Sequence, residues 1–499
     1  MWLYIALALF ALVYYVFTSL KYDHWEKKGV PTASGNERFF GHFKPIILVK
    51  KHLIEVYEAM YKEFPDAPLI GYYMMCVPAL IVKDMDIIKT ILISEFSSFN
   101  FNGFTIDKNV DPVASVHPFV LKGEEWKSAR AQVTPSLSLA KLKGYLPSIL
   151  KVGDEMVKYV KKNCVGTAEF EAGKLSMLYA TDVIGNAFYG IENNSFENKD
   201  SLLSMLTNEI HFETTVFENI KQFFQRMPII NKFSQQGKFA SQKLTDVMVA
   251  IMRKVIKERS ATGEKRNDLI QLLLAQKEND TKGVYTDEYM SGQMFVMIVD
   301  LYETASNTLA VTLYLLSKHP EIQERLRSEV KAIKSKNNGE FTIEDIEGAK
   351  YLDMVYNESF RMFSFFLSRE CTSDCYVPMP GSEPFKITKG TPIVIPAGAI
   401  HKDPKYYPDP DKFDPERFTE EEVANRPRFA FMPFGDGPKK CIGARLVTLH
   451  IKAAIIKILD NFKLTPSPKT KYPFEIDQHY ILTFRPKGGT WVNFEPITQ

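Results

Sequence analysis

One cysteine stands in a sequence context that favours chemistry at its sulfur. Cys441 follows Gly435, Gly437 and Pro438, and an apolar helical pattern begins at Ala444. Glycine and proline permit a tight loop whose backbone amides point at the sulfur, and the start of the next helix adds partial positive charge. Both effects favour the thiolate, which is the form that binds metal ions. A buried, inert cysteine in a turn is the alternative interpretation.

Three other groups combine polar and aromatic residues at helical spacing. Glu358 and Arg361 are three residues apart and therefore share one helix face, where a surface ion pair is the simplest explanation. Trp126 and Arg130 are four residues apart, and such a pair usually reflects amphipathic packing. Thr304 lies in a long helical pattern, where a hydroxyl commonly bonds a backbone carbonyl. Taken singly, none of these groups requires a functional site.

Taken together, these motifs resemble those of the cytochrome P-450 family. Residues 434–443 resemble its haem-binding signature, F-x-x-G-x-R-x-C-x-G, with Cys441 at the position of the proximal iron ligand. The resemblance implies haem b as cofactor, and a thiolate on haem iron donates electron density that assists cleavage of the dioxygen bond. Phe434 would cover the sulfur, Gly437 would belong to the tight loop, and Gly443 would leave room for the porphyrin.

The resemblance also implies a set of haem-propionate contacts. Trp126 and Arg130 are similar to the family's W-x-x-x-R motif, and Arg369 corresponds by position to another propionate-binding arginine. Lys439 departs from the pattern because the family usually has arginine there; lysine keeps the charge but loses the bidentate fork. We therefore expect slightly weaker haem binding.

A structural charge network is implied as well. Glu358 and Arg361 look like the family's E-x-x-R motif, and Arg417 lies in a segment that looks like P-E-R-F. Buried charges are tolerated only when they are fully paired. We therefore expect these three residues to hold the proximal loop rather than to react.

The long helix is expected to supply the distal pocket. Glu303 and Thr304 resemble the family's acid–alcohol pair, in which the hydroxyl positions water and the carboxylate links it to solvent. Asp300 and Leu301 depart from the usual Ala-Gly, so Leu301 would narrow the space near iron. Asp300, one turn before Thr304, would be an extra proton relay or an anchor for a polar substrate group; a merely solvated carboxylate is the alternative.

The spacing of apolar residues along the chain predicts a mainly α protein with small β-sheets, the fold class of the family. Residues 69–82 indicate a hairpin, and helical spacing dominates from residue 123 to about residue 375. Thr286 and Pro320 mark the ends of a helix about 50 Å long. Residues 385–395 are typical of strands, and residues 480–494 predict a terminal hairpin turned by two glycines.

The amino terminus predicts a membrane anchor. Residues 2–20 are almost continuously apolar and uncharged, which is long enough to cross a hydrocarbon layer of about 30 Å. Lysines follow the apolar run, so the remainder is expected on the cytosolic side. We interpret residues 1–21 as the anchor, residues 22–35 as a tether and residues 36–499 as one catalytic domain; a cleaved signal peptide is the alternative.

Composition limits the remaining possibilities. The net charge of +2 over 499 residues argues against a general nucleic-acid binder, and five scattered cysteines favour reduced thiols over a disulfide framework. Finer motifs look closest to animal microsomal detoxification-type members, especially insect family six. This implies a monooxygenase of the endoplasmic reticulum membrane, acting on lipophilic small molecules with electrons from NADPH–cytochrome reductase and with cytochrome b5 as a second partner. A haem-thiolate isomerase or dehydratase and a non-catalytic haem-binding protein are the alternatives.

Overall fold

The computed structural model describes residues 5, 12 and 22–497, apart from residues 39, 165, 199–200, 211–212, 226–238, 282, 337–338, 364 and 481–482. Helices dominate, as the spacing of apolar residues predicts. The α-helices are α1 (Lys44–Ile47), α2 (Leu53–Glu63), α3 (Met85–Lys89), α4 (Gly123–Val133), α5 (Leu139–Lys162), α6 (Ala172–Val183), α7 (Leu202–Glu209), α8 (Val216–Gln225), α9 (Gln242–Thr262), α10 (Leu269–Glu278), α11 (Asp287–Lys318), α12 (Pro320–Lys336), α13 (Ile343–Gly348), α14 (Lys350–Met362), α15 (Ala397–His401), α16 (Glu420–Asn425) and α17 (Ala444–Asn461).

Three small sheets flank the helices. The strands are β1 (Leu69–Met74), β2 (Val77–Val82), β3 (Ala168–Glu171), β4 (Leu367–Glu370), β5 (Cys375–Met379), β6 (Ser382–Ile387), β7 (Pro392–Ile395), β8 (Phe462–Pro466) and β9 (Trp491–Pro496). The sheet orders are β1-β2-β7-β4, β3-β9-β8 and β5-β6. The predicted hairpin at residues 69–82 is confirmed by the antiparallel pairing of β1 with β2.

Helix α11 is the predicted long helix, and its ends follow the expected signals. The Thr286 hydroxyl accepts a hydrogen bond from the Tyr289 amide at 3.2 Å, and α12 starts at Pro320. At 1.5 Å per residue the 32 residues of α11 extend for about 48 Å. The helix packs in the largest hydrophobic cluster, so its buried face fixes the position of any functional group on its remaining face.

The predicted terminal hairpin is wrong in its pairing. Gly488 and Gly489 do turn the chain, each with φ of 82°, but β9 pairs with β8 and with β3. Among the described residues, the stretch before the turn contributes two isolated bridges, Glu213 with Tyr480 and Ile476 with Pro486. Alternation of apolar residues indicates a strand but does not identify its partner, and β8 and β3 together let both edges of β9 form hydrogen bonds.

The segment before α1 packs against the first sheet. Trp25 is buried, and its indole nitrogen donates to the Tyr72 carbonyl at 3.1 Å. The Ala33 amide donates to the Gly71 carbonyl at 2.9 Å. The predicted anchor, residues 1–21, lies outside the described residues except for residues 5 and 12. Within the described part of the chain, no helix combines the length and the apolar character needed to cross a membrane.

Candidate active site around Cys441

The loop before α17 holds Cys441 in a closed turn. The Cys441 amide donates to the Phe434 carbonyl at 2.9 Å, and the Lys440 amide donates to the Gly437 carbonyl at 3.0 Å. Gly437 has a φ of 73°, in the region that favours glycine. The Phe434 ring packs on Phe360 of α14, with centroids 5.0 Å apart. These contacts fix the sulfur relative to two helices.

The loop alone was expected to favour the thiolate, but the whole environment of the sulfur raises the pKa of the thiol. Burial raises the pKa of the Cys441 thiol to about 11, and the Asp300 carboxylate acts in the same direction. The Gly443 amide, Arg130 and Lys440 lower the pKa, but by less than burial raises it. Reduced solvation of the sulfur disfavours an anion more than one amide and two cations favour it, although Cys441 is partly open to solvent. A coordinated metal ion supplies the missing charge, since a coordinating thiol is deprotonated.

The opposite wall is one face of α11. Between Met290 and Ser317 every residue is buried except Val299, Asp300 and Thr304. The exposed Asp300 and Thr304 border an open space that we call the central cleft, and Asp300 lies near enough to Cys441 for its charge to raise the pKa of the thiol. Position 304 is therefore at the cleft, as the family motif implies. The Thr304 hydroxyl donates to the backbone carbonyl of Asp300, which is the contact expected of a threonine within any helix.

The other two residues predicted at the cleft lie elsewhere. Glu303 is only 3% exposed, and burial raises the pKa of its carboxyl, with Thr483 and Arg485 acting against that shift. Glu303 therefore lies on a different side of α11 from Thr304, since adjacent helix positions diverge by about 100°, and its link to solvent stays a prediction. Leu301 is 3% exposed and packs in the main hydrophobic cluster.

Asp300 has a partner that the sequence did not indicate. His117 Nε2 lies 3.1 Å from Asp300 Oδ1, and His117 Nδ1 accepts the Phe119 amide at 3.0 Å. His117 lies in the loop before α4, 183 residues away in sequence. No local motif distinguishes this histidine, so only the folded chain reveals the pair.

The predicted propionate-binding residues form one cationic cluster. Trp126 is buried on α4, with Lys439 Nζ 5.1 Å and the Arg130 guanidinium 6.0 Å from its ring centroid. Lys439 donates to the Leu121 carbonyl at 2.9 Å, and Arg130 donates to the Lys440 carbonyl at 2.9 Å. These partners are neutral oxygens, which leave the positive charges uncompensated.

Arg369 extends this cluster from β4. It donates from Nη1 to Asn102 Oδ1 at 2.8 Å, while its buried Nε has no acceptor among the described residues. Burial lowers the pKa of Arg369 to about 10. Burial, together with Arg369 and Arg130, lowers the pKa of Lys439 to about 7. Buried cations without counter-charges suit an anionic ligand, and the two propionates of haem fit this requirement.

The glycines of the loop have different roles. A Cβ atom on Gly437 would stand 1.9 Å from the Leu92 carbonyl oxygen, so no side chain fits. A Cβ atom on Gly443 would stand 4.0 Å from Cys441 Sγ, with no clash and with ordinary backbone φ of −83°. Gly437 is therefore needed by the fold, whereas Gly443 keeps the face beside the sulfur flat for a planar ligand.

We expect Gly437→Ala to weaken folding and haem retention. The side chain would meet a backbone oxygen and would also occupy a left-handed conformation, so the expected loss is at least about 2 kcal/mol of unfolding free energy. Gly390→Ala is the matched control, because Gly390 has φ of 84° but open space around its Cα. Chemical unfolding followed by circular dichroism should show the smaller loss for the control; equal losses would contradict the proposed clash.

A buried charge network supports the loop from behind. Arg361 donates to Glu358 from Nε at 2.7 Å and from Nη2 at 2.9 Å, and both side chains are fully buried. Arg417 Nε lies 3.7 Å from Glu358 Oε1, and the Asp414 amide donates to the same oxygen at 2.9 Å. Arg361 also donates to the His401 carbonyl. The three predicted residues therefore meet in one network that ties α14 to the segment before the cysteine loop.

Comparison with known proteins agrees with this geometry. Residues 31–492 match the sequence model of the family described as Cytochrome P450. Cytochrome P450 6j1 of Blattella germanica is 33% identical over 96% of this chain and 94% of its own length. Cytochrome P450 6k1 of the same organism is 31% identical, with 95% and 93% covered. Probable cytochrome P450 6d4 of Drosophila melanogaster is 31% identical, with 91% of each covered.

These relatives are members of insect family six, as the sequence motifs implied. The mainly helical architecture with small sheets is the cytochrome P450 fold, and the cationic cluster and cysteine loop suit haem b, which members of the family bind. The chain belongs to the cytochrome P450 family and is a haem-thiolate monooxygenase.

Proposed function

We propose that this monooxygenase inserts one oxygen atom from dioxygen into a lipophilic small molecule, with electrons from NADPH delivered by NADPH–cytochrome reductase. The observation that carries the proposal is the exposure of Asp300 and Thr304, one turn apart in the otherwise buried middle of α11, with Asp300 near enough to Cys441 for its charge to act on the thiol. Haem held by Cys441 and the cationic cluster would supply the redox chemistry that activates dioxygen. The protein residues anchor it, orient it and bound the substrate space.

Aromatic side chains support a lipophilic substrate. The Phe104 ring packs 6.3 Å from Phe239, and the Phe239 ring packs 6.2 Å from Phe295 of α11. Phe119 is half exposed in the same loop as His117, which reaches the cleft through Asp300. Pockets with apolar walls and few polar groups bind small organic molecules.

A basic surface near the thiol supports an acidic electron donor. Lys440 is exposed and lines a groove of about 650 Å³ that reaches Cys441, and Lys127 is exposed on α4. Two other basic residues near the loop are already engaged: Arg445 is paired with Glu347 at 2.6 Å, and Lys439 donates to the Leu121 carbonyl. A donor with acidic side chains would be steered chiefly to Lys440, since Lys127 is itself paired with Glu124 at 2.6 Å. Cytochrome b5 is proposed as a second donor at this surface.

We also propose that the protein is held in the endoplasmic reticulum membrane with its catalytic domain facing the cytosol. The support is the apolar run at residues 2–20 followed by lysines.

The experiment is turnover by the full chain with purified reductase, NADPH and a panel of lipophilic compounds. Mass spectrometry should detect products that have gained one oxygen, and labelled dioxygen should supply it. Product formed without NADPH would overturn the proposal in favour of an isomerase or dehydratase. Haem binding without any product from the panel would favour a non-catalytic haem-binding protein.

A further inference from the structure

Asp300 introduces a negative charge into the central cleft. Its side chain is about half exposed, 51%, although it lies mid-helix in a stretch that is otherwise almost entirely buried. A carboxylate within an otherwise buried stretch of helix is costly unless water or a partner offsets its charge. The identity of its partners therefore indicates what the cleft is built to hold.

His117 orients this carboxylate without cancelling its charge. The Phe119 amide donates to His117 Nδ1, so the ring proton lies on Nε2 and is donated to Asp300 Oδ1. Among the residues that the structure describes, no group donates to the second oxygen, Oδ2. His117 thus holds one oxygen of the carboxylate in place and leaves the other available to accept a hydrogen bond from a ligand.

The nearby cations are engaged elsewhere. Lys439 donates to the Leu121 carbonyl, Arg369 to Asn102 and Arg130 to the Lys440 carbonyl. All three belong to the cluster that suits the haem propionates. The charge of Asp300 is therefore available for a cation that arrives with the substrate.

Aromatic rings beside the pair suit the same kind of ligand. Phe119 packs edge-on to His117, with centroids 6.5 Å apart, and is 49% exposed. An aromatic face attracts an organic cation, and the exposed part of the Phe119 ring also offers apolar surface to its hydrocarbon part. Carboxylate and ring together match a lipophilic amine better than a neutral hydrocarbon.

We propose that Asp300, oriented by His117, is the recognition site for a lipophilic substrate that carries a cationic amine. The inference rests on the proposed monooxygenase function and adds the substrate class. It assigns Asp300 a specificity-determining role through contact with substrate, and His117 a positioning role through Asp300.

The test compares two probes on the haem-loaded full chain. One is phenoxyethyl trimethylammonium, which has no lone pair to bind iron; the other is its neutral isostere, in which a tert-butyl group replaces the trimethylammonium group. Dissociation constants are measured by calorimetry and by the change in haem absorption. The parent should bind the cation more tightly than the isostere by roughly tenfold, the size of one charge-assisted contact.

Asp300→Asn is the informative variant because it keeps an acceptor for His117 but removes the charge. It should lose the roughly tenfold preference for the cation while binding the isostere as the parent does. Glu288→Gln, an exposed carboxylate in the first turn of the same helix, is the control and should keep the preference.

No preference in the parent, or equal changes for both probes in Asp300→Asn, would overturn the inference. If Asp300→Asn forms less product per NADPH consumed than the parent, and equally so with both probes, Asp300 is instead a proton relay. If the parent shows normal NADPH-dependent oxygen insertion, such results reject the cation site alone. If the parent inserts no oxygen but prefers the cation, the proposed function fails and the binding site stands.

Discussion

Replacing Cys441 with serine should reduce oxygen insertion to below about 1% of the parent rate, because the alcohol cannot donate electron density as a thiolate does to assist dioxygen cleavage. Serine is close in size to cysteine, and the loop is closed by the amide of residue 441 rather than by its side chain. The variant should therefore fold, although it should hold haem more weakly. Product formation, normalised to bound haem, is the measurement.

Cys164→Ser is the matched control. Cys164 is a free, half-buried cysteine whose sulfur donates weakly to the Phe494 carbonyl at 3.6 Å, far along the chain from the loop. It should keep nearly full activity. Equal loss in the two variants, or undiminished product formation by Cys441→Ser, would show that the sulfur at 441 has no special role.

Glu358→Ala should destabilise the folded state by about 3–5 kcal/mol, the typical cost of leaving a buried charge without its partner. In the variant the fully buried Arg361 loses its carboxylate partner, and the Asp414 amide loses its acceptor. Burial raises the pKa of the Glu358 carboxyl while Arg361 opposes that shift, so the carboxylate and the guanidinium depend on each other. Denaturant unfolding of the purified protein measures the loss.

Two comparisons make the result specific. The double variant Glu358→Leu with Arg361→Met removes both charges and fills similar volume, so it should be more stable than Glu358→Ala. Glu420→Gln breaks an exposed pair with Lys350, both side chains being over 80% exposed, and should barely change the unfolding midpoint. A loss in Glu420→Gln as large as in Glu358→Ala would contradict the importance of burial.

Much of the architecture was predictable because local signals decide it. Thr286 caps the start of α11, and Pro320 begins the helix that follows it. Strand β1 pairs with β2 across a short turn. The partners of β9 were not predictable, because apolar alternation is the same whichever strands lie beside it.

In the candidate site, too, some features were predictable from the sequence and others were not. The positions of Cys441 and Thr304 relative to the cleft follow from motif and helix spacing. The thiol pKa, the burial of Glu303 and the contact of Asp300 with His117 depend on what surrounds each group after folding. Desolvation and long-range pairing are tertiary quantities, so spacing in the sequence carries no information about them.

The absorption spectrum of the purified, haem-loaded protein, after reduction and exposure to carbon monoxide, tests the central claim most directly. A sulfur anion at position 441 bonded to haem iron predicts the strongly red-shifted Soret band typical of thiolate ligation. A band at the shorter wavelength typical of a neutral ligand, seen in freshly prepared and folded protein, would contradict it.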